Sequence, residues 1–192
     1  MEESGADSYT QRMNALVKER TYSLTDDALE WRDDGADYVG RMPYDAITQI
    51  RLAYRPSRVQ LNRYYGHIYG RGGRLDMTNS SYRGFGDFEQ HDAQYSAFMR
   101  ELHRRLAAKG LPVVFSKGSS LAGYIGNVAL TLFIFAMIAL AFVLLLTWGM
   151  VWIAVAKLAI ILFFVPTLIR FILSARPAAY DPLDIPQEAL PA

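Results

Sequence analysis

The sequence predicts an α+β polar domain of seven antiparallel strands and a C-terminal helix, followed by an all-α two-helix transmembrane hairpin. Three observations predict it. Charge is concentrated before residue 121: 17 of the 20 Lys and Arg and 16 of the 19 Asp and Glu lie there, and residues 121–173 hold only Lys157 and Arg170. Short β-rich runs, each closed by a turn cluster, fill residues 20–86. The apolar period then changes to three- and four-residue steps over Tyr95, Phe98, Met99, Leu102 and Leu106. With 52% apolar residues the 192-residue chain is too greasy to stay disordered, and the absence of cysteine excludes a disulfide framework, a Cys-ligated zinc and a thiol nucleophile.

In chain order, residues 1–17 are polar and mixed, a frayed or partly helical start. The polar domain spans 18–110. Its first strand, at Thr21-Tyr22-Ser23-Leu24, closes at Thr25-Asp26-Asp27, and a second, Ala28 to Arg32, closes at Asp33-Asp34-Gly35. Tyr38 to Met42 is a third, stopped by Pro43. Ile47 to Tyr54 is a fourth: Ile50, Leu52 and Tyr54 share one face, and Gln49, Arg51 and Arg55 the other, the alternation of a half-buried strand. Val59 to Tyr69 turns at Gly70-Arg71-Gly72-Gly73 into Arg74 to Thr78, and Tyr82 to Gly86 is the seventh. Asp92 is placed to cap a helix of about 15 residues that Gly110 and Pro112 end. Residues 111–123 form a juxtamembrane linker.

The 53 residues from Leu121 to Leu173 would make one helix of roughly 80 Å, against a bilayer core of roughly 30 Å, so two spans are predicted, at 124–147 and 151–173. Trp148-Gly149-Met150 marks the break. Lys157 lies about two turns beyond it, close enough for its stem to return the ammonium to the interface, and Pro166 predicts a kink. Arg100, Arg104, Arg105, Lys109 and Lys117 before the first span, and Arg170 and Arg176 at and beyond the end of the second, place both termini in the cytoplasm by the positive-inside rule. Glu2 and Glu3, with no apolar run behind them, predict no signal peptide. The Pro-rich tail, 174–192, carries Pro177, Pro182, Pro186 and Pro191; it is expected to run extended, as a disordered end, a docking peptide or a segment lying along the domain.

Seven strands and a C-terminal helix resemble the pleckstrin-homology (PH) fold. Thr21-Tyr22-Ser23-Leu24-Thr25, Leu29-Glu30-Trp31, Gly40-Arg41-Met42-Pro43-Tyr44 and Ile50-Arg51-Leu52 resemble bacterial PH-like domains fused to membrane spans, and Tyr180-Asp181-Pro182 through Leu190-Pro191 resembles the segment C-terminal to the spans in them. The resemblance implies an inner-membrane protein with two spans and a cytoplasmic, membrane-tethered binding or scaffolding module. Lipid-binding PH domains place Lys and Arg at the first strand-to-strand turn. Thr25-Asp26-Asp27 repels phosphate there, so a headgroup site would have to use later arginines.

The charge order supplies those arginines. Residues 1–37 hold ten acids and four bases, whereas residues 51–83 hold seven arginines and one acid, Asp76. The candidate contact residues are Arg51, Arg55, Arg58, Arg63, Arg71 and Arg74, interleaved with Tyr54, Tyr64, Tyr65, Tyr69 and Tyr82. Such a surface can hold phosphate by bidentate and cation–π contacts, meet an acidic partner protein, or pair with the acidic N-terminal strands. No enzyme, cofactor or metal site is predicted. His67, His91 and His103 lack metal-ligand spacing, Gly-x-Ser-x-Gly is absent, Asp26-Asp27 and Asp33-Asp34 sit in exposed turns, and Gly70–Gly73 lacks the Lys-Ser or Lys-Thr of a phosphate loop. A net charge of +1 argues against nucleic acid. The expected function is a membrane-anchored, non-enzymatic module contacting lipid headgroups or a protein partner. The alternative is a small accessory subunit of a membrane complex, packing on partner helices through Gly123 and Gly126.

Overall fold

The structure, a computed structural model, describes residues 6–55, 60, 62–147 and 176–191. It confirms the α+β class and divides into two compact units, one of Met1–Gly118 with Ala178–Ala192 and one of Ser119–Pro177. The first unit opens with four antiparallel strands in sequence order: β1 (Ser8–Gln11), β2 (Arg20–Leu24), β3 (Ala28–Asp33) and β4 (Val39–Pro43). A 3-10 turn at Tyr44–Ala46 leads into the meander β5 (Ile47–Tyr54), β6 (Tyr64–Gly70) and β7 (Gly73–Thr78). The hairpin β8 (Ser80–Gly84) and β9 (Asp87–Gln90) precedes helix α1 (Asp92–Ala108). Then β10 (Val114–Lys117) joins β5 in parallel, and β11 (Ala178–Ala179) joins β10 antiparallel, giving a second sheet ordered β11-β10-β5-β6-β7.

The core forms where the two apolar periodicities meet. Strand alternation turns Ile50, Leu52, Ile68, Leu75 and Met77 inward, and the helical period brings Tyr95, Phe98, Met99, Leu102 and Leu106 onto them; all are buried. Gly66 on β6 permits this approach, since a Cβ there would lie 2.8 Å from Met99 Cε and 2.9 Å from Tyr95 Oη. The two sheets meet at the outer edge of β7, where side chains replace a neighbouring strand. Tyr9 Oη–H donates to Thr78 O (2.5 Å), Gln11 and Tyr22 both donate to Asp76 O (3.1 and 3.2 Å), and Gln11 Oε1 accepts from Thr78 N–H (2.7 Å). An edge that would otherwise bury unpaired backbone groups is thereby satisfied.

Several expectations are corrected. The described residues form eleven strands rather than seven, and β10 runs parallel to β5. The start of the chain is not frayed throughout, because Ser8–Gln11 is a strand whose Tyr9 is fully buried. The first strand-to-strand connection is consequently 12–19, carrying Arg12 and Lys18, rather than Thr25-Asp26-Asp27. Asp92 is the first helical residue and His91 occupies the cap position. The linker contains β10, and the C-terminal segment packs on the domain: Leu190 is 2% exposed, Ser96 Oγ–H donates to Pro191 O (2.9 Å), and Lys117 pairs with Glu188.

In the second unit α2 (Leu121–Thr147) carries a 24-residue stretch, Leu121–Leu144, of mean hydropathy 2.5. By length and composition this is a candidate membrane-spanning helix. The expected break at Trp148-Gly149-Met150, the span 151–173, Lys157 and Pro166 lie outside the described residues.

His103 on α1 fastens the returning segment. Its ring is fully buried between Phe115 and Tyr180, with Nδ1 2.6 Å from Met99 O and Nε2 2.8 Å from Tyr180 Oη. A carbonyl only accepts, so Nδ1 carries the proton and Nε2 accepts from the tyrosine hydroxyl. Burial holds the imidazole pKa down to about 4. A histidine whose folded pKa is depressed binds fewer protons folded than unfolded, so its contribution is complete above the unfolded value of about 6.5 and is lost as pH falls toward 4. Denaturant unfolding of the full chain in detergent should therefore show stability falling across that window. His103→Gln should flatten the fall by about 3 kcal/mol at most, and an unchanged slope would contradict the neutral ring.

Candidate phosphate-contact face

The outer face of β5, β6 and β7 is set by their register. Arg51, His67 and Asp76 form one cross-strand row; Gln49, Tyr69 and Arg74 form the next, and Ala53, Tyr65 and Thr78 the one on the other side. Residues two apart on a strand share a face, so Tyr65, His67 and Tyr69 stand side by side on β6. The Tyr65 and His67 rings stack at 5.7 Å, and Tyr69 flanks the histidine at 6.4 Å. Arg51 lies over the Tyr69 ring at 5.4 Å and Arg63 over Tyr65 at 4.7 Å, so two guanidinium groups are held against aromatic faces.

Asp76 is the carboxylate of this face. His67 Nδ1 lies 2.6 Å from Asp76 Oδ1, and Arg74 Nη2 donates to Oδ2 at 2.7 Å. Burial pushes the His67 pKa below its ordinary value. The Asp76 hydrogen bond and charge oppose that shift, and the Arg55 and Arg74 charges add to it. With Nδ1–H donated to Asp76, the imidazole is neutral and oriented. The arrangement can take up an anion through guanidinium groups that keep donors free for it.

Of the six predicted arginines, the structure brings Arg51, Arg63 and Arg74 to this face. Arg55 is exposed immediately after β5, its N–H donating to Arg63 O at 2.9 Å. Arg71 is exposed in the β6–β7 turn, with its N–H on Ala46 O, at the far end of the same strands. Arg58 lies outside the described residues. His67 and Asp76 were missed as a pair, although the alternation Tyr65-x-His67-x-Tyr69 opposite Arg74-x-Asp76 already places them on the arginine face.

The acidic N-terminal strands do not neutralise these arginines. Asp33 pairs with Arg20 (2.5 Å), Asp27 and Glu30 with Arg41 (2.6 and 3.4 Å), and Asp7 with Arg105 (2.5 Å). Among the described residues, Arg51, Arg55 and Arg63 have no carboxylate partner, and Arg63 Nε is buried without a hydrogen bond. The first connection, 12–19, is a poorer anion site. Arg12 folds back on Ala15 O and Val17 O, and beside it lies a pocket of about 200 Å³ whose Arg20 is already paired with Asp33. Among the described residues, no group of three or more His, Asp or Glu is placed to hold a metal ion. No family model, curated protein or solved structure matches the chain.

In Asp76→Asn the imidazole loses its neighbouring negative charge, so its pKa should fall further below the ordinary histidine value. Carbon-13 chemical shifts of His67 followed against pH check this, and a raised or unmoved midpoint would refute the pairing.

Proposed function

We propose that the chain is a membrane-anchored, non-enzymatic binding module: a cytoplasmic PH-like domain, held at a bacterial inner membrane by a two-helix hairpin, that contacts lipid headgroups or a protein partner through its arginine–tyrosine face. The observation that carries the reading is the set of arginines, Arg51, Arg55 and Arg63, left without carboxylates among the described residues in a chain that also bears a membrane-length apolar helix. Support for the PH-like order comes from two antiparallel meanders in separate sheets, β1 to β4 and β5 to β7, ahead of α1, with β8 and β9 as an added hairpin.

Support for two crossings comes from the first unit alone. Lys117 and Ala178 oppose each other across the β10–β11 ladder, so the chain returns beside the point where it left. A segment that leaves and re-enters one domain at one point crosses a bilayer an even number of times, and α2 supplies one crossing. Anchoring also raises the effective concentration of the domain at the surface, which makes weak contacts sufficient.

The full chain in sealed membrane vesicles, tagged at either terminus, tests this. Both tags should be cleaved by protease from the same side, and the chain should resist alkaline extraction. Tags on opposite sides would refute the hairpin, and extraction would refute the anchor.

A further inference from the structure

We propose that the end of the second sheet at which β5 stops is the membrane-facing rim of the domain, and that Arg55 and Arg63 there bind the phosphate groups of anionic lipids. This rests on the membrane-anchored reading and deepens it by dividing the arginines into those that meet lipid and those that do not.

The direction of the exit strand sets the rim. β10 runs parallel to β5 with Lys117 opposite Leu52, and Gly118 N–H donates to Leu52 O at 2.9 Å. The chain therefore leaves the sheet at the C-terminal end of β5. The apolar helix begins at Leu121, and the three steps from Gly118 reach at most about 11 Å. A span that starts at the bilayer interface thus tethers this end of the sheet within about that distance of the headgroups. Arg55 follows β5 directly and Arg63 leads into β6, their backbones joined by the Arg55 N–H to Arg63 O bond. Both belong to the tethered end.

The chemistry at that end suits a phosphate layer. Arg55 is exposed, and Arg63 is half-buried, its guanidinium braced on the Tyr65 ring. Tyr54 and Tyr64 lie beside them with ring centroids 5.0 Å apart, and tyrosine favours the headgroup level. Of the nearby carboxylates, Asp92 accepts a hydrogen bond from Asn79 and Glu188 pairs with Lys117. Arg71 belongs to the other end, where Gly70 pairs with Ile47, the first residue of β5. Seven residue steps along a strand separate those ends by roughly 24 Å, about three Debye lengths at physiological salt. Arg71 is thus screened from the surface that Arg55 and Arg63 touch.

The test uses the full chain, which has no cysteine and so accepts a single fluorescent label. Asn62→Cys reports on the rim and Gly72→Cys on the far end, in nanodiscs of phosphatidylcholine with or without phosphatidylglycerol, quenched by a headgroup spin label. Quenching should be strong at residue 62 and near background at residue 72. Phosphatidylglycerol should deepen it at residue 62, an increment lost in Arg55→Gln/Arg63→Gln and kept in Arg71→Gln. Arg55, Asn62, Arg71 and Gly72 are exposed and Arg63 is half-buried, so an unchanged circular dichroism spectrum is required of each variant. Equal quenching at both labels overturns the rim. An increment that survives the double variant, or that Arg71→Gln abolishes, overturns the phosphate contact while leaving the anchor standing. A chain that does not enter the nanodisc overturns the anchoring reading, and this proposal with it.

Discussion

The part of the polar unit beyond residue 113 is held by the pairing of β10 with β5 and closed by a two-residue ladder, Ser116 with Ala179 and Lys117 with Ala178. It joins the ends of the excursion through residues 119–177. Were that excursion a flexible loop in water, closing it would cost about 4 kcal/mol, more than two short strands supply at about 1 kcal/mol per hydrogen bond. The difference is made up by burial: Tyr180 stacks on His103 and lies against Phe115, while Ala189 and Leu190 are sealed into the core. A membrane hairpin would reduce the closure term further, because its two ends already meet at one interface.

Charge is sorted by the same local pairing. Antiparallel neighbours place Arg20 against Asp33 and Arg41 against Glu30, and Arg105 of α1 reaches Asp7, Leu24 O and Thr25 O together. Four of the N-terminal acids, Asp7, Asp27, Glu30 and Asp33, are thus paired with bases on their own sheet and on the helix. On the second sheet Asp76 answers only His67 and Arg74 among the described residues. The uneven charge order along the chain therefore becomes an uneven surface instead of cancelling in space.

Periodicity decided what could be read from the residues. β5 and α1 are long enough to show their alternation and their helical stripe, and Arg51 faces outward as the pattern of Gln49, Arg51 and Arg55 implies. The 27 residues of α2 announce themselves by lacking charge. β10 and β11, with four and two residues, have no period to detect and exist because β5 and Phe115 give them something to pair with and cover. Tyr9 at β1 is buried, and Tyr180 after β11 half-buried, against hydrogen-bond partners 69 and 77 residues away, which no local pattern reveals. The His67–Asp76 pair needed the β6–β7 register, where a slip of one residue would have sent the two side chains to opposite faces.

The ladder also ties the polar unit to the segment that follows the apolar helix. Without residues 178–191, His103 Nε2 would lose its donor and Ser96 Oγ its acceptor, each a buried group whose orphaning costs about 1–3 kcal/mol. The burial of Tyr180 and Leu190 would be lost as well. Those residues come after the apolar segment in the chain, so the polar unit cannot close until that segment has left β10 and come back to it. The end of the second sheet at which β10 leaves is thus completed by residues that follow the apolar helix. Arg55 and Arg63, without carboxylate partners among the described residues, stand at that same end of the second sheet, so the rim proposed to meet lipid is the end that this ladder completes.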